Sequence, residues 1–185
     1  MGWRMNTKIY PDLMIDLETL GNNGQSAIVQ IGACYFDINT GEIGKEFLMN
    51  IEVDEASKYG EINASTVMWW LQQSKEAQMS VFGPQIYRVD LRSVLEMFTR
   101  VMTEGVENVW CHVDFDLPIL KHAYQAVGLE YPFKYWMGQH LRTITKLASV
   151  STKDYVNEGI AHNALDDCKF QVKYVVDCFK KLGVK

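Results

Sequence analysis

Apolar and polar residues alternate with a period of two over three early stretches, DLMIDLE at 12–18, AIVQIGACYFD at 27–37 and IGKEFLMNIEV at 43–53. That period puts successive side chains on opposite faces of a strand. Glycine and asparagine clusters separate the stretches, GNNG at 21–24 and NTG at 39–41, so an antiparallel meander is expected. Beyond it the period lengthens to about 3.6, predicting helices over 64–74 and 90–103. NVWCHV at 108–113 reads as a strand feeding a helix over 117–127, with Pro118 in the first turn and Gly128 past the end. A strand near 133–137, a helix over 141–149 and a long helix over 164–182 complete the order. The last carries Leu165, Cys168, Val172, Val175, Val176 and Phe179 along one face. Three strands followed by alternating helices and strands predict an α/β architecture, a mixed sheet with helices packed on it. No repeat, low-complexity tract or linker interrupts the pattern, so one domain over 1–185 is expected.

Composition narrows the class. With 185 residues, 48% hydrophobic and 22% charged, the chain can bury a sizeable core. No apolar run approaches the roughly 20 residues of a membrane span. The opening MGWRMN lacks the apolar stretch of a secretory signal, and Asn6 stands where a myristoylation signal needs Ser or Thr. Cys34, Cys111, Cys168 and Cys178 are widely spaced in apolar segments, which fits reduced core thiols and a cytoplasmic setting. The Asn63, Ala64, Ser65 triplet is then expected to be fortuitous as a glycosylation site. A net charge of -5 argues against gripping nucleic acid through a broad basic surface, so a polyanion would have to be held locally. One local candidate exists: residues 134–153 carry Lys134, Arg142, Lys146 and Lys153 and no Asp or Glu, although such a run is more often a solvated face.

The carboxylates change the picture most. Asp16 and Glu18 are two apart in the first strand, so they share a face about 7 Å apart along it and repel unless a cation lies near. Asp116 follows the 108–113 strand, where it could equally be a helix cap. Asn163 is expected to cap the last helix, which puts Asp166 and Asp167 in its first turn, where the helix dipole favours acids. Local physics leaves those two equivalent. Each carboxylate alone has a structural explanation, a strand edge or a helix start. Together, with His162 just ahead of the last pair, they offer oxygen ligands for hard divalent cations and an imidazole to deprotonate water. Two-metal phosphodiester hydrolysis is the chemistry that needs all of them.

At this point MIDLETLG at 14–21, HVDFD at 112–116 and HNALDD at 162–167 resemble, in order and separation, the three motifs of DEDDh 3′-5′ exonucleases. These belong to the DnaQ-like superfamily within the ribonuclease H-like fold. TVMWWLQQSKEA at 66–77 and RTI at 142–144 are similar to a branch that includes phage exodeoxyribonuclease VIII-type, DexA-type and Rv2179c-like enzymes. The resemblance spans nearly the whole chain. It implies a central mixed five-stranded sheet flanked by helices, with the first three strands antiparallel. It implies Asp16, Glu18, Asp116 and Asp167 as ligands for two divalent cations, Mg²⁺ or Mn²⁺, and His162, five residues before Asp167, as general base. Thr19, Leu20, His112 and Arg142 fall where substrate contacts are implied. The implied reaction releases 5′-mononucleotides from single-stranded 3′ ends, with DNA favoured and RNA the alternative. A homodimer is possible, and a catalytically silent module that binds nucleic-acid ends or a protein partner is the alternative from another class. The pattern departs in two places: His112 replaces the usual asparagine of the second motif, leaving Asp114 a rival to Asp116, and His140 replaces the usual aspartate two residues before Arg142.

Overall fold

The protein is described by a computed structural model covering residues 8–184, so the reading of the first six residues as neither leader nor acylation signal lies outside the described residues. The alternating stretches form β1 (Asp12–Thr19), β2 (Ile28–Phe36) and β3 (Ile43–Ile51), paired antiparallel as expected. Three short helices follow, α1 (Val53–Tyr59), α2 (Ala64–Trp70) and α3 (Lys75–Phe82). Next come β4 (Arg88–Val89), α4 (Leu91–Met102), β5 (Asn108–Cys111) and α5 (Asp116–Ala126). β6 (Gly138–His140), α6 (Leu141–Ala148) and α7 (Ala164–Leu182) complete the chain. The sheet runs β4-β3-β2-β1-β5-β6, with β5 parallel to β1, β6 parallel to β5 and β4 parallel to β3.

The sheet therefore has six strands rather than the expected five. β4 pairs through only Asn50 with Arg88 and Ile51 with Val89, too short a run to carry any alternation. The strand expected near 133–137 is displaced to Gly138–His140, and Tyr135 and Trp136 are exposed loop residues. Asn63 accepts from Ser65 N–H and caps α2. All four cysteines are free and buried. Among the described residues no helix is long and apolar enough to cross a membrane.

β1 lies in the interior of the sheet, and both its faces are covered. Leu13, Ile15 and Leu17 join the core that includes α4 and α5 residues, whereas Met14 joins Trp110, Leu141, Cys168 and Val172 on the α6 and α7 side. Asp16 and Glu18 share the face of Met14, the α7 side of the sheet, where Asp16 is only partly exposed and Glu18 is buried. What lets α7 come so close is Gly32, the β2 partner of Asp16. A Cβ there would stand 2.2 Å from the carbonyl carbon of Ala164, so only glycine leaves room for the helix start. Gln30 on the same strand accepts the Ala164 N–H at 2.8 Å, satisfying an amide that the helix cannot.

Candidate active site

Three elements, β1, α5 and α7, bring four carboxylates to one end of β1. Asp16 is partly exposed and Glu18 is buried on β1 itself. Asp116 is buried at the first position of α5, and its side chain does not cap that helix. It turns back instead to accept the backbone N–H of His112 at 2.8 Å, and that of Leu17 as well. Asp167 stands in the first turn of α7, which Asn163 caps through its bond to the Asp166 N–H. Its Oδ2 accepts the backbone N–H of His162 at 3.0 Å, and its Oδ1 accepts Asn157 Nδ2 at 2.9 Å. One ligating atom each from Glu18, His162 and Asp167 lies within 4.8 Å of the other two. His162 adopts a left-handed backbone, φ 63°, a strained conformation for a residue with a side chain.

The electrostatics are those of crowded like charges. Burial, then the charges of Asp116, Glu18 and Asp167, pushes Asp16 well above the usual carboxylate range. Burial and the same kind of repulsion raise Glu18 to about 8. Asp116 is raised to about 7 by burial, against the pull of its N–H bonds. Asp167 is raised by burial, partly offset by the His162 N–H. Among the described residues no lysine or arginine pairs with any of the four. Donors of this kind, all oxygen and uncompensated, fit hard divalent cations such as Mg²⁺ or Mn²⁺.

Asp114 and Asp166 are not part of this cluster. The Asp114 side chain is 91% exposed and faces His140 Nε2 at 3.3 Å. Asp166 Oδ2 accepts the Ile160 N–H at 2.9 Å, so it braces the loop ahead of His162. The spacing argument that separated Asp167 from Asp166 corresponds to two different partners.

Two clefts flank the carboxylates. One, of about 420 Å³, is lined by Leu17, Glu18, Thr19, Ser65, Trp69 and Phe115. Thr19 contributes to its wall while its hydroxyl donates to the Gly21 carbonyl. Leu20 does not line it; its side chain belongs to an apolar recess with Trp70 and Phe82. The other cleft, of about 580 Å³, is lined by His112, Arg142, Lys153, Asp167, Gln171 and Tyr174. Of the basic run, Arg142 and Lys153 reach this cleft, and Lys134 and Lys146 do not line it. Burial, then the neighbouring Arg142 and His140 charges, lowers His112 below the usual imidazole value. The tandem tryptophans split: Trp70 is buried with Nε1 donating to the Thr19 carbonyl at 2.9 Å, whereas Trp69 is exposed and meets the His162 ring edge-on.

Sequence reasoning missed Gln171, which donates to Asp16, and Asn157, which donates to Asp167. Nothing local marks either residue. Gly32 did carry a signal, since an isolated glycine inside a strand pattern indicates a close backbone approach.

Comparison with known proteins agrees with this geometry. A family model described as the 3′-5′ exoribonuclease Rv2179c-like domain matches residues 11–179. An exodeoxyribonuclease of Enterobacteria phage T4 is 23% identical over 192 residues, covering 85% of this chain and 84% of that protein. Exonuclease X in complex with 5′ overhanging duplex DNA superposes with a TM-score of 0.53 at 17% identity, over 94% of both chains. The nuclease domain of 3′hExo, a DEDDh family member bound to rAMP, superposes with a TM-score of 0.59 at 15% identity, again over 94% of both. These superpositions show the ribonuclease H-like exonuclease fold, and the match over residues 11–179 shows the family. The chain is an exonuclease that belongs to the Rv2179c-like 3′-5′ exoribonuclease domain family.

Proposed function

We propose that the protein hydrolyses the terminal phosphodiester of single-stranded 3′ ends, DNA ends foremost, and releases 5′-mononucleotides. Two divalent cations, Mg²⁺ or Mn²⁺, would be held by Asp16, Glu18, Asp116 and Asp167. The observation that carries this reading is the convergence of four carboxylates and an imidazole at one end of β1, with no lysine or arginine among the described residues paired with the carboxylates. When bound, the cations would polarise the attacking water and stabilise charge on the leaving oxygen. His162 takes the water's proton on a ring nitrogen, since that ring stands beside Glu18 and Asp167 and is held by Trp69.

The cleft beside Glu18 takes the terminal nucleotide, with Trp69 and Phe115 offering ring surfaces to its base and Thr19 forming part of its wall. Leu20 acts from behind, backing that wall from the apolar recess. The cleft beside Asp167 takes the next phosphate, with Arg142, Lys153 and His112 along it. A frayed or unpaired end suits this arrangement, since only an unpaired base offers its face to Trp69 and Phe115.

Similarity to the T4 exodeoxyribonuclease over 84% of its length supports DNA. RNA is the second reading, supported by the description of the family. The choice turns on whether the 2′-OH is welcomed or excluded. The test offers the protein 3′- and 5′-labelled single-stranded DNA, duplex DNA and RNA with each metal. Cation-dependent release of mononucleotides from single-stranded DNA 3′ ends is expected. Tight end-binding without hydrolysis in either metal would overturn the reading, and preferential hydrolysis of RNA would replace DNA as substrate.

A further inference from the structure

Gln171 lies one helical turn after Asp167 on α7, so the two side chains leave the same face of the helix. It is buried, and its Nε2 donates to Oδ1 of Asp16 at 2.8 Å. Ionised, as a cation ligand must be, Asp16 only accepts, so in that state the amide nitrogen has to face it, which is the orientation of the side chain here. That orientation leaves Gln171 Oε1 buried without a hydrogen-bond partner among the described residues. Buried orphans of this kind are costly and rare, and an apolar side chain of the same length would avoid this one. The bond to Asp16 is what the polar side chain gains in return.

The donor is also neutral. A lysine or arginine at this place would hold Asp16 as firmly but cancel charge that a divalent cation needs. An amide orients the carboxylate and leaves its charge intact. Asp167 is treated the same way, through Asn157 Nδ2 at 2.9 Å.

We propose that Gln171 is a positioning residue for the metal site. It ties one oxygen of Asp16 to the helix that carries Asp167, leaves Oδ2 of Asp16 available to a cation, and so fixes the spacing of ligands drawn from β1 and α7. This rests on the reading of the carboxylates as a divalent-cation site.

The test is calorimetric titration of Mn²⁺ into the protein without nucleic acid, joined to the Mn²⁺ dependence of the exonuclease rate. Gln171→Met keeps the length and removes the N–H; Gln171→Asn keeps an amide too short to reach Asp16 and serves if the first variant fails to fold. Mn²⁺ affinity should weaken about 10- to 100-fold, the usual effect of removing a group that orients a ligand. The maximal rate should return as Mn²⁺ is raised, with the oligonucleotide KM at saturating Mn²⁺ unchanged. An affinity within about twofold of wild type, or a rate that saturating Mn²⁺ does not restore, overturns the proposal. If the wild type itself binds no Mn²⁺, the underlying reading falls with it; if only the variants match wild type, the role of Gln171 falls alone.

Discussion

The backbone N–H of His162 donates to Oδ2 of Asp167 at 3.0 Å, so the proposed base and the last proposed ligand of the motif are joined directly. Its neighbour Asp166 instead accepts from Ile160, and Gly159 packs against that carboxylate so closely that a Cβ would lie 2.5 Å from its Cγ. The two aspartates therefore differ sharply in consequence. Asp167→Ala should reduce cation-dependent cleavage to background while the fold survives. Asp166→Ala should cost about 0.3 to 1 kcal/mol of stability through the lost first-turn charge. It should also loosen the 157–161 loop, with activity staying within about tenfold of wild type, the scale of one lost hydrogen bond. Melting curves and single-turnover rates on both variants check this, and the reverse pattern would mean the motif has been assigned one residue out.

Trp69 and Trp70 are adjacent in α2 but do different work. Trp70 is buried against Phe82 and bonded to the Thr19 carbonyl. Trp70→Ala should destabilise the protein by about 3 to 5 kcal/mol, the usual cost of truncating a core aromatic. Trp69 is 40% exposed, lines the cleft beside Glu18, and its ring centroid is 4.8 Å from that of His162. Trp69→Ala should leave the melting temperature nearly unchanged but weaken substrate binding by about 1 to 3 kcal/mol, the value of one base stacked on an aromatic ring. Steady-state kinetics on a short single-stranded oligonucleotide, beside thermal melts, separates the two. An inactive but fully stable Trp70→Ala protein would contradict this division.

How much of this was legible follows from the range of each interaction. The β1–β3 meander and the ends of α7 are written in local pattern: alternation of period two, turn residues at the joints, Asn163 as cap and Gly183 in a left-handed conformation past the helix end. β4 has two residues and no pattern to show, and the three-residue β6 is likewise too short for alternation to fix its place, which is why the strand expected near 133–137 lies at 138–140. In the site, residues with fixed spacing could be paired from the sequence, as His162 and Asp167 were, and these two do lie together. The pairing of Gln171 with Asp16 joins positions 155 apart, so it exists only once β1 and α7 have been packed together. Whether Asp16 and Glu18 formed a solvent-facing edge or a buried cluster had the same dependence, because it was decided by β1 lying between β2 and β5.

Gly32 controls that packing. Its β2 position faces Asp16, and the start of α7 occupies the space a side chain would need, with Leu165 N and Ala164 O also within 2.5 Å of where a Cβ would stand. Gly32→Ala should therefore push α7 away from the sheet and separate Asp167 from Asp16. Overpacking against backbone costs about 1 to 3 kcal/mol or more, since main chain cannot change rotamer to yield. The expected result is a lower melting temperature together with loss of Mn²⁺ binding, measured calorimetrically. An alanine variant that kept wild-type Mn²⁺ affinity would show that α7 is not held at this distance by Gly32.

The raised carboxyls tie stability to pH in a direction opposite to the common case. An unfolded Asp or Glu loses its proton near pH 4, whereas in the folded cluster Glu18 and Asp116 keep theirs up to about 8 and about 7. Between those limits the folded state binds more protons than the unfolded state, so these groups make the protein less stable as pH rises from about 5 to 8. In a chelator the melting temperature should fall across that range, by about 2 to 4 °C for each kcal/mol lost. Adding Mg²⁺ or Mn²⁺ should restore it, and by more at pH 8 than at pH 5.5, because at low pH the cation must first displace the retained protons. Glu18→Gln removes one of the titrating groups and should flatten the slope in chelator while weakening the response to cation. If the wild-type and Glu18→Gln proteins gave the same slope, or if cations stabilised the wild type equally at both pH values, the cluster would not be the origin of the pH dependence.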